Sequence, residues 1–235
     1  MRLKRNRKKD IHEYDNNKYI GNLSSKRMFN NTMEFAMDLL KNEDKENSLI
    51  LLDYLIGVIK KDLEYSMITE IIYKEEHKAL DMRGGGLMPI SVYDKNNKLV
   101  DNIVTKCDKK IYINKDSMVV IPWSYDRFSK SVKTLSKAEF EFQENNHYGR
   151  YYDYIDISYV VSGRHSVSSG IGLNKNGYIE IKEKSNTRLL FKHIYSDGVN
   201  WINIHNGKII NKLFDYRIGI LFELARLKYI IESNR

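Results

Sequence analysis

The run Gly84-Gly85-Gly86 divides this chain into two textures, and no other feature constrains its fold as much. Three successive glycines cost too much backbone entropy to lie inside a helix or a strand, so one structural regime ends there and another begins. Upstream, apolar residues recur at helical spacing. Met28, Met33, Ala36, Leu39 and Leu40 follow two N-cap candidates, Ser24 and Ser25, and lead into the polar run 41–47. Ser48 then reads as the cap of a longer stripe, Leu49, Leu52, Leu55, Ile56, Ile59, Leu63, Met67, Ile71 and Ile72, long enough for two helices or one bent helix. The triplet itself is read as a flexible connection or a phosphate cradle. It fits neither a P-loop, since no Gly-Lys-Ser/Thr follows, nor a dinucleotide fingerprint, since no strand precedes it.

Downstream the period shortens to that of strands. Residues 87–105 predict a strand, an Asp-Lys-Asn-Asn turn and a second strand, and residues 109–123 add further short β-type runs. Residues 127–139 predict a short helix. A second β block over 151–163 alternates Tyr152, Tyr154, Ile155, Ile157, Tyr159 and Val160 with polar residues and breaks at Gly163. Small residues, an Asn-Gly turn at 176–177 and a strand around Tyr178 to Ile181 follow. Phe214 to Ile231 closes the chain as a helix, on which Asp215, Arg217, Glu223 and Arg226 are spaced for local ion pairs. The fold class is therefore α+β. A basic tail over 1–22 precedes a helical region over 23–83, packed on a small mixed-sheet domain over 84–210 and closed by a C-terminal helix over 211–235.

Composition narrows the function classes. Of 235 residues, 42% are hydrophobic and 30% charged, which permits a real core and excludes a collagen-like chain, long disorder or a disulfide scaffold. No apolar run approaches the ~20 residues of a membrane span, and no apolar stretch typical of a secretion signal follows the basic start. The expectation is a cytoplasmic protein with no membrane partner. Cys107 is the single cysteine, which excludes an internal disulfide and fits a half-buried core position. The formal charge is +8, but residues 1–10 hold six cations against Asp10 and so carry more than half of that excess. A block of like charge is read as solvated and without fixed structure, or as a tail that touches nucleic acid or an acidic partner.

The stretch Ser162-Gly163-Arg164-His165-Ser166-Val167-Ser168-Ser169-Gly170 carries the most chemistry. It follows a strand and enters a helix, and such a turn presents backbone N–H groups and the positive end of the helix dipole to an anion. Arg164 would add bidentate phosphate contacts, His165 would donate to phosphate or transfer a proton, and Gly163, Ser166, Ser168 and Ser169 would cradle the anion. The bland reading is a turn with a solvated Arg and a satisfied core His. His147, near Glu141, Glu144 and Asn146, reads as part of a metal site or proton relay, or as a member of a solvated loop. Trp123 and Trp201 read as core or rim aromatics.

These residues carry a resemblance. Strand, Gly-Arg-His-Ser, then small residues entering a helix is similar to the signature turn of the ParB/sulfiredoxin-like superfamily, whose turn holds nucleotide phosphates. Four ordered pieces over 119–227 resemble an uncharacterised bacterial domain-of-unknown-function family. They are Ile121-Pro122-Trp123 with Arg127, the pair Asn146-His147, the turn Gly163-x-His165-Ser166, and the helix with Phe214, Asp215, Arg217, Phe222, Glu223, Leu224 and Arg226. The turn departs from the family's pattern at Arg164, where Asn is usual, and from the ParB pattern at Ser166, where a second Arg is usual. The resemblance implies a ParB/sulfiredoxin-like sheet domain with Arg127 at its mouth. It also implies a nucleotide, with a divalent metal such as Mg, or nucleic acid as ligand.

Two functions are expected. In one, phosphate is bound at the Gly163–Ser169 turn by Gly163, Arg164, Ser166, Ser168, Ser169 and Arg127, and is hydrolysed or transferred with His165, His147 and Glu144 as catalytic groups. In the other, a non-enzymatic module of a phage or mobile element, in a defence or counter-defence role, binds nucleic acid or a protein partner.

Overall fold

The computed structural model describes residues 24–73 and 86–233. The basic tail of residues 1–22, the end of the helical region, and Gly84 and Gly85 lie outside the described residues. The elements run α1 (Ser25–Leu40), α2 (Lys45–Tyr73), β1 (Val104–Tyr112), β2 (Ser117–Val119), α3 (Tyr125–Leu135), β3 (Tyr148–Tyr152), β4 (Ile157–Ser162) and α4 (Arg164–Gly172). They continue β5 (Tyr178–Ser185), α5 (Thr187–Leu190), β6 (Ile194–Ser196), β7 (Asn200–Asn203), β8 (Ile209–Lys212) and α6 (Tyr216–Ser233). The class is α+β: N-terminal helices, a mixed five-stranded sheet, a three-stranded sheet and a C-terminal helix.

Several boundaries differ from the sequence expectation, each for a local reason. Ser48 does not cap α2. The Asp44 carboxylate already accepts from the Asn47 amide at 2.8 Å, so the helix starts earlier and Ser48 is buried inside it. The strand-turn-strand expected over 87–105 contracts to one bridge, Tyr93 to Leu99. There the Asp94 carboxylate accepts from the amides of Asn96 and Lys98 at 2.8 and 2.9 Å, spending on the turn what a longer ladder would use. The single run expected over 151–163 is two strands, β3 and β4. Tyr154 and Asp156 take positive φ between them, and the Asp153 and Asp156 carboxylates accept from Thr187 N–H and the Tyr151 hydroxyl. The three-stranded sheet, in order β6-β7-β8, was not foreseen.

The five-stranded sheet has the order β1-β5-β3-β4-β2, and β2 runs parallel to β4. Its side chains alternate between two cores, as the period of a strand requires. Val119, Ile121, Ile157 and Tyr159 join α1, α2, α6 and the three-stranded sheet on one face. Met118, Val120 and Val160 join Val167 and Ile171 of α4 and Leu135 of α3 on the other. This end of the sheet is thus covered on both sides by helices, and α3 and α4 leave it from the C-terminal ends of the adjacent parallel strands β2 and β4.

Two buried glutamates fasten the long helices to the sheet edges. Glu64 of α2 accepts from the amide of Met118 on edge strand β2 at 2.8 Å, with Lys61 on its second oxygen at 2.8 Å. Glu223 of α6 accepts from the amide of Ser196 on edge strand β6 at 2.8 Å and from Arg226 Nε at 2.8 Å. Burial pushes the Glu223 carboxyl above the usual carboxylate range. Arg217 pairs with Asp215 at 2.8 Å and with Asp62 of α2 at 3.0 Å. The charged residues of the C-terminal helix are therefore structural ties. Glu64→Leu leaves the Met118 amide without its acceptor and is expected to cost about 1–3 kcal/mol in equilibrium urea unfolding. Glu64→Gln keeps an acceptor oxygen and should cost clearly less.

Candidate functional site

Three of the four sequence pieces meet in one cavity of about 710 Å³. Its walls are the inner face of α3, the segment 138–147 and the turn from β4 into α4, and its lining includes Trp123, Arg127, Asn146, His147, Gly163, Arg164, His165 and Ser166. The fold puts it where adjacent parallel strands release their helices, the usual place for a ligand in a sheet with parallel strands.

The turn is built around Gly163. Its φ is +73°, a left-handed conformation that side chains disfavour, and a Cβ there would stand 2.2 Å from Cδ2 of His147. Glycine thus serves both the backbone and the close approach of the imidazole. The His147 ring stacks on Phe140, with centroids 5.0 Å apart, and is only 4% exposed. Its Nδ1 accepts from the Gln143 amide at 3.0 Å, and its Nε2 lies 2.8 Å from the Ser166 hydroxyl. A backbone N–H cannot accept, so Nδ1 is unprotonated and the neutral ring carries its proton on Nε2. That proton is donated to Ser166, whose own hydroxyl donates to the Gly163 carbonyl at 2.9 Å. The pair has the distance of a nucleophile and its base, but its protons run the other way. His147 therefore locks the 143–147 segment to the turn.

His165 does similar work on the other wall. Its Nε2 accepts from the amides of Trp123 and Ser124 at 3.3 and 3.1 Å, and its ring meets Trp123 edge to face. Ser124 in turn caps α3 by accepting from the Arg127 amide at 3.4 Å. The imidazole thus ties the start of α3 to the start of α4. No side chain caps α4, whose first residues line the cavity.

Arg127, Lys130 and Arg164 supply the positive charge. None of them forms an ion pair among the described residues, whereas Arg150, Arg217 and Arg226 each hold a carboxylate. Arg127 instead lies 5.0 Å over the ring of Trp123, which is 41% exposed at the rim. Glu139 and Glu141 are the carboxylates of the lining, both on its exposed rim.

Not every expected site residue arrives here. Glu144 is exposed and outside the lining. Ser168 and Ser169 are buried in the second turn of α4, Ser168 donating to the His165 carbonyl at 3.1 Å, because the helix already begins at Arg164. Trp201 is a core residue. Lys130, Ser131 and Thr134 were missed, although they follow Arg127 at helical spacing and so share its face. No group of three His, Cys, Asp or Glu among the described residues is arranged to hold a metal, and both ring nitrogens of His147 are committed. No helix among them is long and apolar enough to cross a membrane.

Burial holds the His147 pKa down at about 4, against an ordinary 6.5. Between those pH values the unfolded chain takes up a proton that the folded chain refuses, so the stability contributed is complete above about 6.5 and is lost as pH falls toward 4. Urea unfolding should find the advantage of the wild type over His147→Leu about 2 kcal/mol smaller at pH 5 than at pH 7. An unchanged difference would mean that the ring is not held neutral.

No curated protein and no solved structure matches this chain, so the comparisons do not extend to the ParB/sulfiredoxin superfamily. The chain belongs to the family of unknown function DUF6710, whose match extends over residues 4–235 and takes in every wall of the cavity.

Proposed function

We propose that the cavity recognises the phosphate of a nucleotide or of a nucleic-acid strand. The observation that carries this reading is the convergence of Arg127, Lys130 and Arg164, all without an ion-pair partner among the described residues, on the uncapped N-terminus of α4. Guanidinium forks and helix N–H groups suit the tetrahedral oxygens of phosphate. Trp123 on the rim offers a face on which a base stacks.

The hydrogen-bond commitments of the two histidines favour recognition over acid–base chemistry at this turn. His147 has no lone pair to spare, and the Nε2 lone pair of His165 is spent on two backbone amides. Both act as positioning residues, and the binding groups are Arg164, Arg127, Lys130 and the first amides of α4.

The test is a thermal-shift and calorimetric titration of the full chain with ATP, ADP and inorganic phosphate, with and without Mg²⁺. A ligand at 100 times its Kd stabilises the native state by about 2.7 kcal/mol. Arg164→Ala and Arg127→Ala are each expected to erase most of that gain while leaving the unliganded midpoint within a degree or two. Because Trp201 is buried, acrylamide quenching reads Trp123, and a bound nucleotide should protect it. Equal ligand shifts in wild type and both variants would overturn the proposal.

A further inference from the structure

A second hollow, about 490 Å³, lies on the outer side of α3 and is lined by Asp126, Ser129, Lys130, Lys133, Thr134 and Lys137. Lys130 and Thr134 line both hollows, so the cavity and this shallow trough adjoin along α3. Lys130 and Lys133 lie one turn apart on α3 and Lys137 just beyond its end, and all three line the trough. Lys130 and Lys133 lie about 4.5 Å apart along the axis at the helical rise, a spacing of the same order as that between phosphates in an extended strand. All three are exposed, and none forms an ion pair among the described residues. Asp126, in the first turn of α3, is the sole carboxylate among the trough residues.

A free nucleotide would be satisfied by the cavity alone and would leave these lysines unused. Resting on the phosphate reading of the cavity, we infer that the occupant is the phosphate-bearing end of a single-stranded polynucleotide, whose following phosphates run along Lys130, Lys133 and Lys137. A single strand fits better than a duplex, because Trp123 at the mouth stacks only on a base that is already unpaired.

The experiment is fluorescence anisotropy on the full chain with 5′-phosphorylated dT2, dT12 and rU12, comparing wild type, Arg164→Ala and the double variant Lys133→Ser/Lys137→Ser. Losing two phosphate contacts lowers the slope of log K against log salt by about 1.4, which is about 25-fold in affinity at 0.1 M salt. The double variant should lose that much for dT12 or for rU12 and bind dT2 as wild type does, while Arg164→Ala should weaken every probe. If Arg164→Ala weakens dT2 but the double variant leaves dT12 and rU12 unchanged, the strand inference falls and the phosphate reading stands. If Arg164→Ala changes nothing, both fall. Tighter binding of a duplex, or equal competition by a poly-glutamate peptide of matched charge, also overturns the inference.

Discussion

The geometry of the site depends on one imidazole remaining uncharged. His147 accepts a backbone N–H on one nitrogen and donates from the other to Ser166, an arrangement available only to the neutral ring. Protonation would set a ring N–H against the Gln143 amide and place a charge between Phe140 and the Gly163 turn. Because Ser166 passes the bond to the Gly163 carbonyl, the ring fixes the left-handed residue that aims α4. Any side chain at position 163 would occupy the space the ring needs. The start of α4 is thus positioned by a residue that leaves its first amides free of side-chain contact.

The second support is the sheet. β2 and β4 are parallel neighbours, and each hands the chain to a helix at its C-terminal end, so α3 and α4 begin side by side. His165 couples those two beginnings through the Trp123 and Ser124 amides. β2 is short and lies at an edge, where its outward amides have no strand to pair with. Glu64, reaching from α2, takes one of them. The helical layer therefore holds in place a strand from which one wall of the cavity grows, and Glu223 does the equivalent for the three-stranded sheet.

Much of this was legible in the sequence because it followed from local chemistry. The stripe from Leu52 to Ile71 gave α2, Gly163 marks a helix start, and Arg127, His147, Gly163, Arg164 and Ser166 share one cavity although they are distant along the chain, whereas the helix expected over 127–139 runs from Tyr125 to Leu135 because Ser124 caps it. What stayed hidden depends on tertiary partners. The turn at 153–156 contains neither glycine nor proline, and it closes through carboxylates whose partners Thr187 and Tyr151 cannot be guessed from spacing. Ser168 and Ser169 look like phosphate ligands until the helix start is fixed, since one turn of α-helix carries a residue from the open end to the packed face. The histidines looked like acid–base groups because sequence names a titratable side chain without saying which protons it already holds.

Pairing separates the cations that tie the fold together from those that do not. Arg150 has Glu183 at 2.9 Å and Arg217 has Asp215 at 2.8 Å, so these cations are satisfied within the fold. Around α3 the pattern reverses: Arg127, Lys130 and Lys133 follow one another at three-residue spacing on the helix, where like charges repel by a few tenths of a kcal/mol per pair, and Lys137 follows just past its end. Arg164 adds a further cation from the start of α4. Arg127 is offset by its contact with Trp123 and Lys133 by the C-terminal end of the helix, but the repulsion among them remains, and an anion laid across the cluster would relieve it. The net charge of +8 says little about this, because a count does not distinguish an arginine that holds a carboxylate from one that has none. The distinction lies in the pairing, and five of the cations without an ion pair among the described residues, Arg127, Lys130, Lys133, Lys137 and Arg164, lie in or beside one cavity and one helix.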